Sequence, residues 1–219
     1  MIGYWSRTWT PTAAPRRANL GIAFSGWNDP TTALNESKQL KTSLVGAKWI
    51  DGGGGNKNGR WSEDNIKQWI TAIEQGLLAD WQGLVIDIEE CYNTGLESSF
   101  GSLLHAAKTA GLSTLVTTSH SAPYGCSDGL ELMSAFFHST DLDYLSPQLY
   151  TSGGESAPDF DAGNGVKWSD WVGANAKFVP SLTCGTIKAG GYDKTKQFFA
   201  NINITTAGYI MWPSQGCSI

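Results

Sequence analysis

Short runs rich in Val, Ile, Leu and aromatic residues alternate with helix-length amphipathic stretches about eight times along the chain. The runs fall at 2–5, 19–25, 47–51, 83–90, 112–119, 143–150, 177–183 and 207–212, each too short for a helix of ordinary length. Between them the apolar spacing changes to that of helices. Asp29 stands as an N-cap before Pro30 at the first helical position, starting a helix that runs to about residue 44. Ser62 caps a second stretch in which Ile66, Trp69, Ile70, Ile73 and Leu77 keep helical spacing. A third presents Phe100, Leu103, Leu104 and Ala107 on one face and is stopped by Gly111. Shorter helices are expected over 130–137 and 193–201, with a weak one over 168–174, while breakers make 6–17 a loop. This alternation predicts a parallel α/β architecture, and eight such units close into a (β/α)8 TIM barrel. No composition shift marks a linker, so residues 1–219 are expected to form a single domain. A doubly wound open sheet is the runner-up, but no G-x-G-x-x-G follows the first strand.

The fourth run, Gly83-Leu84-Val85-Ile86-Asp87-Ile88-Glu89-Glu90, is apolar until it ends in three carboxylates. Such a strand is buried on both faces and shows charge only where it leaves the core. Alternation puts Val85, Asp87 and Glu89 on one face and Ile86, Ile88 and Glu90 on the other. Asp87 and Glu89 then lie roughly 6–7 Å apart. At that separation one carboxylate raises the pKa of the other, which keeps a carboxyl protonated to act as an acid. Glu90, by parity, is expected to face the helix layer in a structural role.

The balance of 15 basic and 20 acidic residues, with the basic ones scattered, leaves no nucleic-acid footprint. No apolar stretch has the length needed to span a bilayer, so neither nucleic acid nor membrane is expected as a partner. Three histidines and no C-x-x-C pair argue against a metal site, and no cofactor is expected. Ten tryptophans suit either a core or a surface offered to sugar faces. Strand order brings the loops that carry the four cysteines together in neighbouring pairs, which predicts disulfides Cys91–Cys126 and Cys184–Cys217. Disulfides imply an oxidising compartment. No leader is visible at Met1-Ile2-Gly3-Tyr4-Trp5, and an extracellular location with the signal peptide absent from this chain is the expectation.

With its strands placed, the chain resembles the glycoside hydrolase family 18 chitinases, in particular the small hevamine-like enzymes. The family's strand-four signature, D-G-x-D-x-D-x-E, aligns with Gln82-Gly83-Leu84-Val85-Ile86-Asp87-Ile88-Glu89. The glycine, the last aspartate and the glutamate match, whereas Gln82 and Val85 replace the first two aspartates. Ile2-Gly3-Tyr4-Trp5 and Asn19-Leu20-Gly21-Ile22-Ala23-Phe24 look like the first two strands. Asp51-Gly52-Gly53-Gly54 stands at the S-x-G-G motif, with Asp51 in the serine position, where it is expected to act as a turn former for the glycines. Gln148-Leu149-Tyr150 resembles the Q/M-x-Y of strand six, followed by Thr151 rather than Asp or Asn. Tyr209-Ile210-Met211-Trp212 resembles the closing strand.

The resemblance implies retaining endo-hydrolysis of β-1,4-linked N-acetylglucosamine polymers by a monomer, with the substrate's own acetamido oxygen as nucleophile. It makes Glu89 the general acid and then base, and Asp87 the group that orients the acetamido N–H and offsets the oxazolinium charge. Tyr150 would donate its hydroxyl to the acetamido oxygen and Trp212 would form the floor beneath that sugar. Gln148 and Tyr4 would be further substrate contacts, and His120 could line the cleft. Val85 removes the aspartate that lies beneath Asp87 in the family, and the apolar floor it leaves should raise the pKa of Asp87. Two alternatives stay open: an endo-β-N-acetylglucosaminidase acting on N-glycans, and a non-catalytic lectin, storage protein or inhibitor on the same barrel.

Overall fold

The parallel runs close on themselves. A computed structural model describes residues 1–214, in which the strands are β1 (Ile2–Arg7), β2 (Leu20–Phe24), β3 (Ala47–Gly53), β4 (Gly83–Ile88), β5 (Ser113–Ser119), β6 (Tyr144–Gln148), β7 (Lys177–Phe178), β8 (Ser181–Thr183) and β9 (Tyr209–Trp212). Hydrogen bonding runs β5-β4-β3-β2-β1-β9-β8-β6, and β5 pairs with β6 to complete the ring. Segments β7 and β8 together fill the seventh position, where a single strand was expected. Pro180 interrupts them because it has no N–H to give the ladder. Val179 N–H still reaches Leu145 O at 2.9 Å, and Pro180 O accepts from Ile210 N–H at 3.0 Å, so the wall stays continuous. The (β/α)8 barrel is therefore closed, with eight strand positions.

The helices are α1 (Pro30–Lys41), α2 (Glu63–Glu74), α3 (Glu97–Thr109), α4 (Gly129–His138), α5 (Cys184–Lys188) and α6 (Gly191–Ala200). Asp29 and Ser62 cap α1 and α2 as their sequence context dictates, accepting from Thr32 N–H at 2.7 Å and Asn65 N–H at 3.2 Å. The weak helix expected over 168–174 is a single 3₁₀ turn, Trp168–Trp171. Helix α5 was not anticipated; Thr183 caps it by accepting from Thr186 N–H. Among the described residues no helix is long and apolar enough to cross a membrane.

Two apolar layers result. Inside the barrel, Trp5, Ile22, Trp49, Val85, Leu115 and Ile210 fill the lower and middle levels. Between sheet and helices lies the larger layer, which includes Tyr4, Ile50, Trp69, Ile86, Ile88 and Phe100. The strand alternation that creates these layers also decides what reaches the mouth. Above the inward apolar residues come inward polar ones, Asp51 on β3, Asp87 on β4, Thr117 on β5 and Gln148 on β6, all nearly inaccessible to solvent.

The expected disulfide Cys91–Cys126 is present and joins the loops that follow β4 and β5. The second expected pair, Cys184–Cys217, lies outside the described residues because Cys217 does.

Candidate active site

Strand β4 delivers two carboxyls to the C-terminal mouth of the barrel. Asp87 is 2% exposed, and its Oδ1 accepts a hydrogen bond from Gln148 Nε2 at 3.0 Å. The same amide nitrogen lies 3.4 Å from Glu89 Oε1, so one side chain on β6 bridges both carboxyls. Glu89 stands just beyond the last paired residue and is only partly buried. Its carboxyl opens into a cleft of about 490 Å³ whose wall also includes Asp87, Gln148, Tyr150, Thr151 and Trp212.

The glycine run after β3 wraps this pair closely. A Cβ at Gly55 would lie 2.6 Å from Glu89 Oε2, and one at Gly53, whose φ is +107°, would lie 2.1 Å from Asp87 O. Only glycine combines that backbone conformation with that approach. Trp61 Nε1 and Gly54 N–H donate to Asp87 O at 2.7 and 3.2 Å, which fixes the strand end from the same side.

Tyr150 follows β6. Its hydroxyl lies 3.3 Å from Ser181 Oγ, which also accepts from Trp5 Nε1 at 3.0 Å. The phenol ring stacks on Trp212, with centroids 6.0 Å apart and planes 26° from parallel. Trp5 and Phe24 meet Trp212 edge-on, and the Arg7 guanidinium lies 6.0 Å from its ring. The tryptophan excess divides cleanly. Of the ten, seven are buried, and the remaining three, Trp9, Trp27 and Trp212, all line the cleft.

Burial dominates the electrostatics. It holds Asp87 well above the ordinary carboxylate range, with added repulsion from Glu89 and then Asp51, against the Gln148 hydrogen bond. Glu89 is also raised by burial, opposed by hydrogen bonds from Gln148 and the Gly55 backbone; Glu90 adds to the rise and His120 opposes it. Burial keeps the Tyr150 phenol protonated well above its ordinary range. The site can therefore hold a protonated acid beside a hydrogen-bonded aspartate, next to a phenol donor and flat ring surfaces.

Of the residues singled out in the sequence, Glu89, Asp87, Tyr150, Gln148 and Trp212 converge on this cleft. Tyr4 does not. Strand parity turns it into the layer between sheet and helices, where it is 1% exposed and its hydroxyl accepts from Val45 N–H at 2.9 Å, so it is not a substrate contact. Glu90 does not enter the helix layer either. The chain leaves the regular ladder after Ile88, parity no longer applies, and Glu90 Oε2 takes Arg60 at 2.5 Å while its Oε1 accepts from Tyr124 Oη at 2.8 Å on the rim. Asp51 is not a turn former. It lies inside β3 with 0% exposure, and neither carboxyl oxygen has a hydrogen-bond partner. The alternation Ala47, Trp49, Asp51 carried that signal. His120 sits at the rim with a φ of +53°, its Nε2 3.1 Å from Asp159 Oδ2, and Thr151 Oγ1 donates to the same carboxylate at 3.4 Å.

Solved structures share the fold. One is a mutant chitinase of glycoside hydrolase family 18 from Cycas revoluta in complex with (GlcNAc)4, with a TM-score of 0.59, 12% identity, and coverage of 97% of this chain and 94% of that one. A fungal endo-β-N-acetylglucosaminidase of family 18 matches with a TM-score of 0.55 at 12% identity, over 97% of this chain and 89% of that one. The spore cortex-lytic enzyme SleL of Bacillus megaterium matches with a TM-score of 0.53 at 8% identity, over 97% and 70% of the two chains. No protein-family model matches the sequence, and no curated protein does.

Proposed function

We propose that this chain, whose barrel has the fold of glycoside hydrolase family 18 enzymes, is a retaining endo-hydrolase of β-1,4-linked N-acetylglucosamine polymers. The carrying observation is the convergence of Glu89, Asp87, Tyr150, Gln148 and Trp212 on one cleft at the C-terminal mouth. In this reading the whole chain is the catalytic domain of a secreted monomer.

The sugar on the non-reducing side of the scissile bond rests on Trp212, the flat surface left open beside Tyr150. Glu89, its proton retained by burial, protonates the glycosidic oxygen as the bond breaks. The acetamido oxygen attacks its own anomeric carbon, so no protein nucleophile is required. Asp87 accepts the acetamido N–H and offsets the positive charge of the oxazolinium ion, and the Tyr150 hydroxyl donates to the acetamido oxygen. Glu89, now anionic, takes a proton from water as that water opens the ring. Two displacements at one carbon return the original configuration. Trp9, 58% exposed on the rim and edge-on to Phe24, offers a further ring face for the sugar chain.

Mass spectrometry of products from a chitin oligomer tests the reading. Wild type should release shorter oligomers, and Glu89→Gln should lose about 10²–10⁴-fold in rate, the usual worth of acid–base catalysis. Equal behaviour of the two proteins would sink the hydrolase reading. Tight binding without turnover by wild type would instead support a lectin. Release of N-glycans from a glycoprotein, with chitin oligomers left intact, would move the substrate class to that of an endo-β-N-acetylglucosaminidase.

A further inference from the structure

Building on the hydrolase reading, we propose that Asp51 is a positioning residue that shares one proton with Asp87, supplying from β3 the carboxyl that Val85 cannot supply from β4. The sheet register places it there. Asp51 pairs with Val85 and Gly53 with Asp87, so Asp51 lies on the neighbouring strand one inward step below Asp87. Strand spacing and rise put the two backbones about 8 Å apart, with both side chains directed into the barrel.

Its surroundings exclude the ordinary roles of an aspartate. As a turn former it would accept backbone N–H groups, and it accepts none. As half of an ion pair it would meet a cation, yet no ion pair among the described residues includes Asp51 or Asp87. A buried carboxyl with no partner is costly unless it is neutral. Nearby stand more acids and weak acids: Asp87 on β4, Glu89 just after it, and beyond β6 the Tyr150 phenol. The Tyr124 phenol and Glu90 sit at the rim, and His120 acts on Glu89 from the loop after β5. Burial first and Glu89 second hold Asp51 well above the ordinary carboxylate range, and Asp51 in turn raises Asp87. Buried carboxyls on neighbouring strands that raise one another titrate as a pair, and in the proposal that pair keeps one proton.

The proton gives Asp87 two settings. With the site at rest, the proton is free to reside on Asp87. As positive charge grows on the oxazolinium ion, the proton moves from Asp87 to Asp51, and Asp87 faces the substrate as an anion. When water opens the oxazolinium, the proton returns. Nothing is gained or lost by the pair, and the charge appears only while it is needed. Set beside the family pattern that the chain resembles, Asp51 stands where a serine would and Val85 where an aspartate would, so the carboxyl lies on the next strand.

Three variants and two readouts test this. In Asp51→Asn, kcat on a chitin oligomer should fall about tenfold or more with KM little changed. The acidic limb of its pH profile should move to higher pH, because a lone buried carboxyl keeps its proton longer than one that can pass it on. Asp51→Ser should behave likewise, and Asp51→Ser combined with Val85→Asp should recover most of the loss. The second readout, ¹³C NMR titration of side-chain carboxyls in the substrate-free protein, needs no activity. Wild type should show two coupled aspartates that retain one proton above the ordinary carboxylate range, and Asp51→Asn should lose that coupling. An unchanged kcat and acidic limb in Asp51→Asn, or uncoupled carboxyl titrations in wild type, would overturn the assignment. If wild type hydrolyses no oligomer but the coupled titration is seen, the hydrolase reading falls and the shared proton stands.

Discussion

Asp51 also has a consequence for stability. A carboxyl raised by burial holds its proton in the folded chain after the unfolded chain has released it. Its contribution is complete below the unfolded value, 3.8 for aspartate, and is lost as pH rises through the raised folded value. Wild type should therefore weaken between mildly acidic and alkaline pH, and Asp51→Asn should escape part of that loss. Thermal unfolding is the measurement: Tm values closest near pH 4, and a variant increasingly more stable toward pH 8, at about 2–4 °C per kcal/mol for a chain of this size. A variant less stable than wild type at pH 8 would count against a carboxyl at position 51 whose raised value costs stability there. At this scale the sequence was legible where parity could be followed into a strand and illegible where the strand ends were misjudged. Asp87 and Glu89 stood out because charge ended an apolar run. Asp51 did not, because the four glycines that follow it look like the end of the strand, whereas β3 continues through Gly53. Tyr4 differs from its expected place for another reason: the alternation that sends Trp5 inward necessarily sends Tyr4 outward.

The elements were the most legible level, because capping and periodicity are local. Helix α2 shows why this matters for the site. Trp69, on its buried face, donates from Nε1 to Asn28 O at 3.0 Å. The helix packs on α3, and the segment leading into it places Trp61 against the Asp87 carbonyl. Ser62 fixes the start of that helix through its bond from Asn65 N–H, and Glu63 and Asp64 add favourable charge in the first turn. Ser62→Ala should cost about 1 kcal/mol, the usual worth of an N-cap, and Ser62→Thr should keep most of it. Equal thermal unfolding of Ser62→Ala and wild type, followed by circular dichroism, would mean the cap is idle. The elements that escaped the sequence are those set by tertiary contact. The split at Pro180 follows from a missing donor in a wall that the neighbouring strands hold together. Helix α5 needs Thr183 at its start, and that threonine's hydroxyl is also bonded to Glu155 O across the barrel mouth.

At the scale of the whole molecule, the barrel fixes strands well but leaves its loops to their own devices, and the site is built partly from loops. Glu89 and Glu90 follow β4, Tyr124 follows β5, and the two segments touch through the Glu90–Gly125 bridge and the 3.1 Å bond from Cys91 N–H to Gly125 O. The Cys91–Cys126 disulfide closes a segment with a sequence separation of 35 that includes all of α3. Its expected worth follows from the chain entropy it removes from the unfolded state, about 4 kcal/mol for a loop of that length. That is a large part of the roughly 5–15 kcal/mol that holds a typical domain folded. Replacing both residues together, Cys91→Ser with Cys126→Ser, should therefore shift the urea midpoint strongly downward and steepen the slope, because the unfolded chain loses its crosslink and exposes more surface. The double substitution leaves the other cysteines undisturbed, which chemical reduction would not. The same variant separates two roles for the bridge. If it only restrains the unfolded chain, activity on oligomers should persist wherever the variant remains folded. If it also holds Glu90 between Arg60 and Tyr124, activity should fall at temperatures well below the new midpoint. An unchanged midpoint would show that the contacts across the two loops already hold them and that the bond adds nothing.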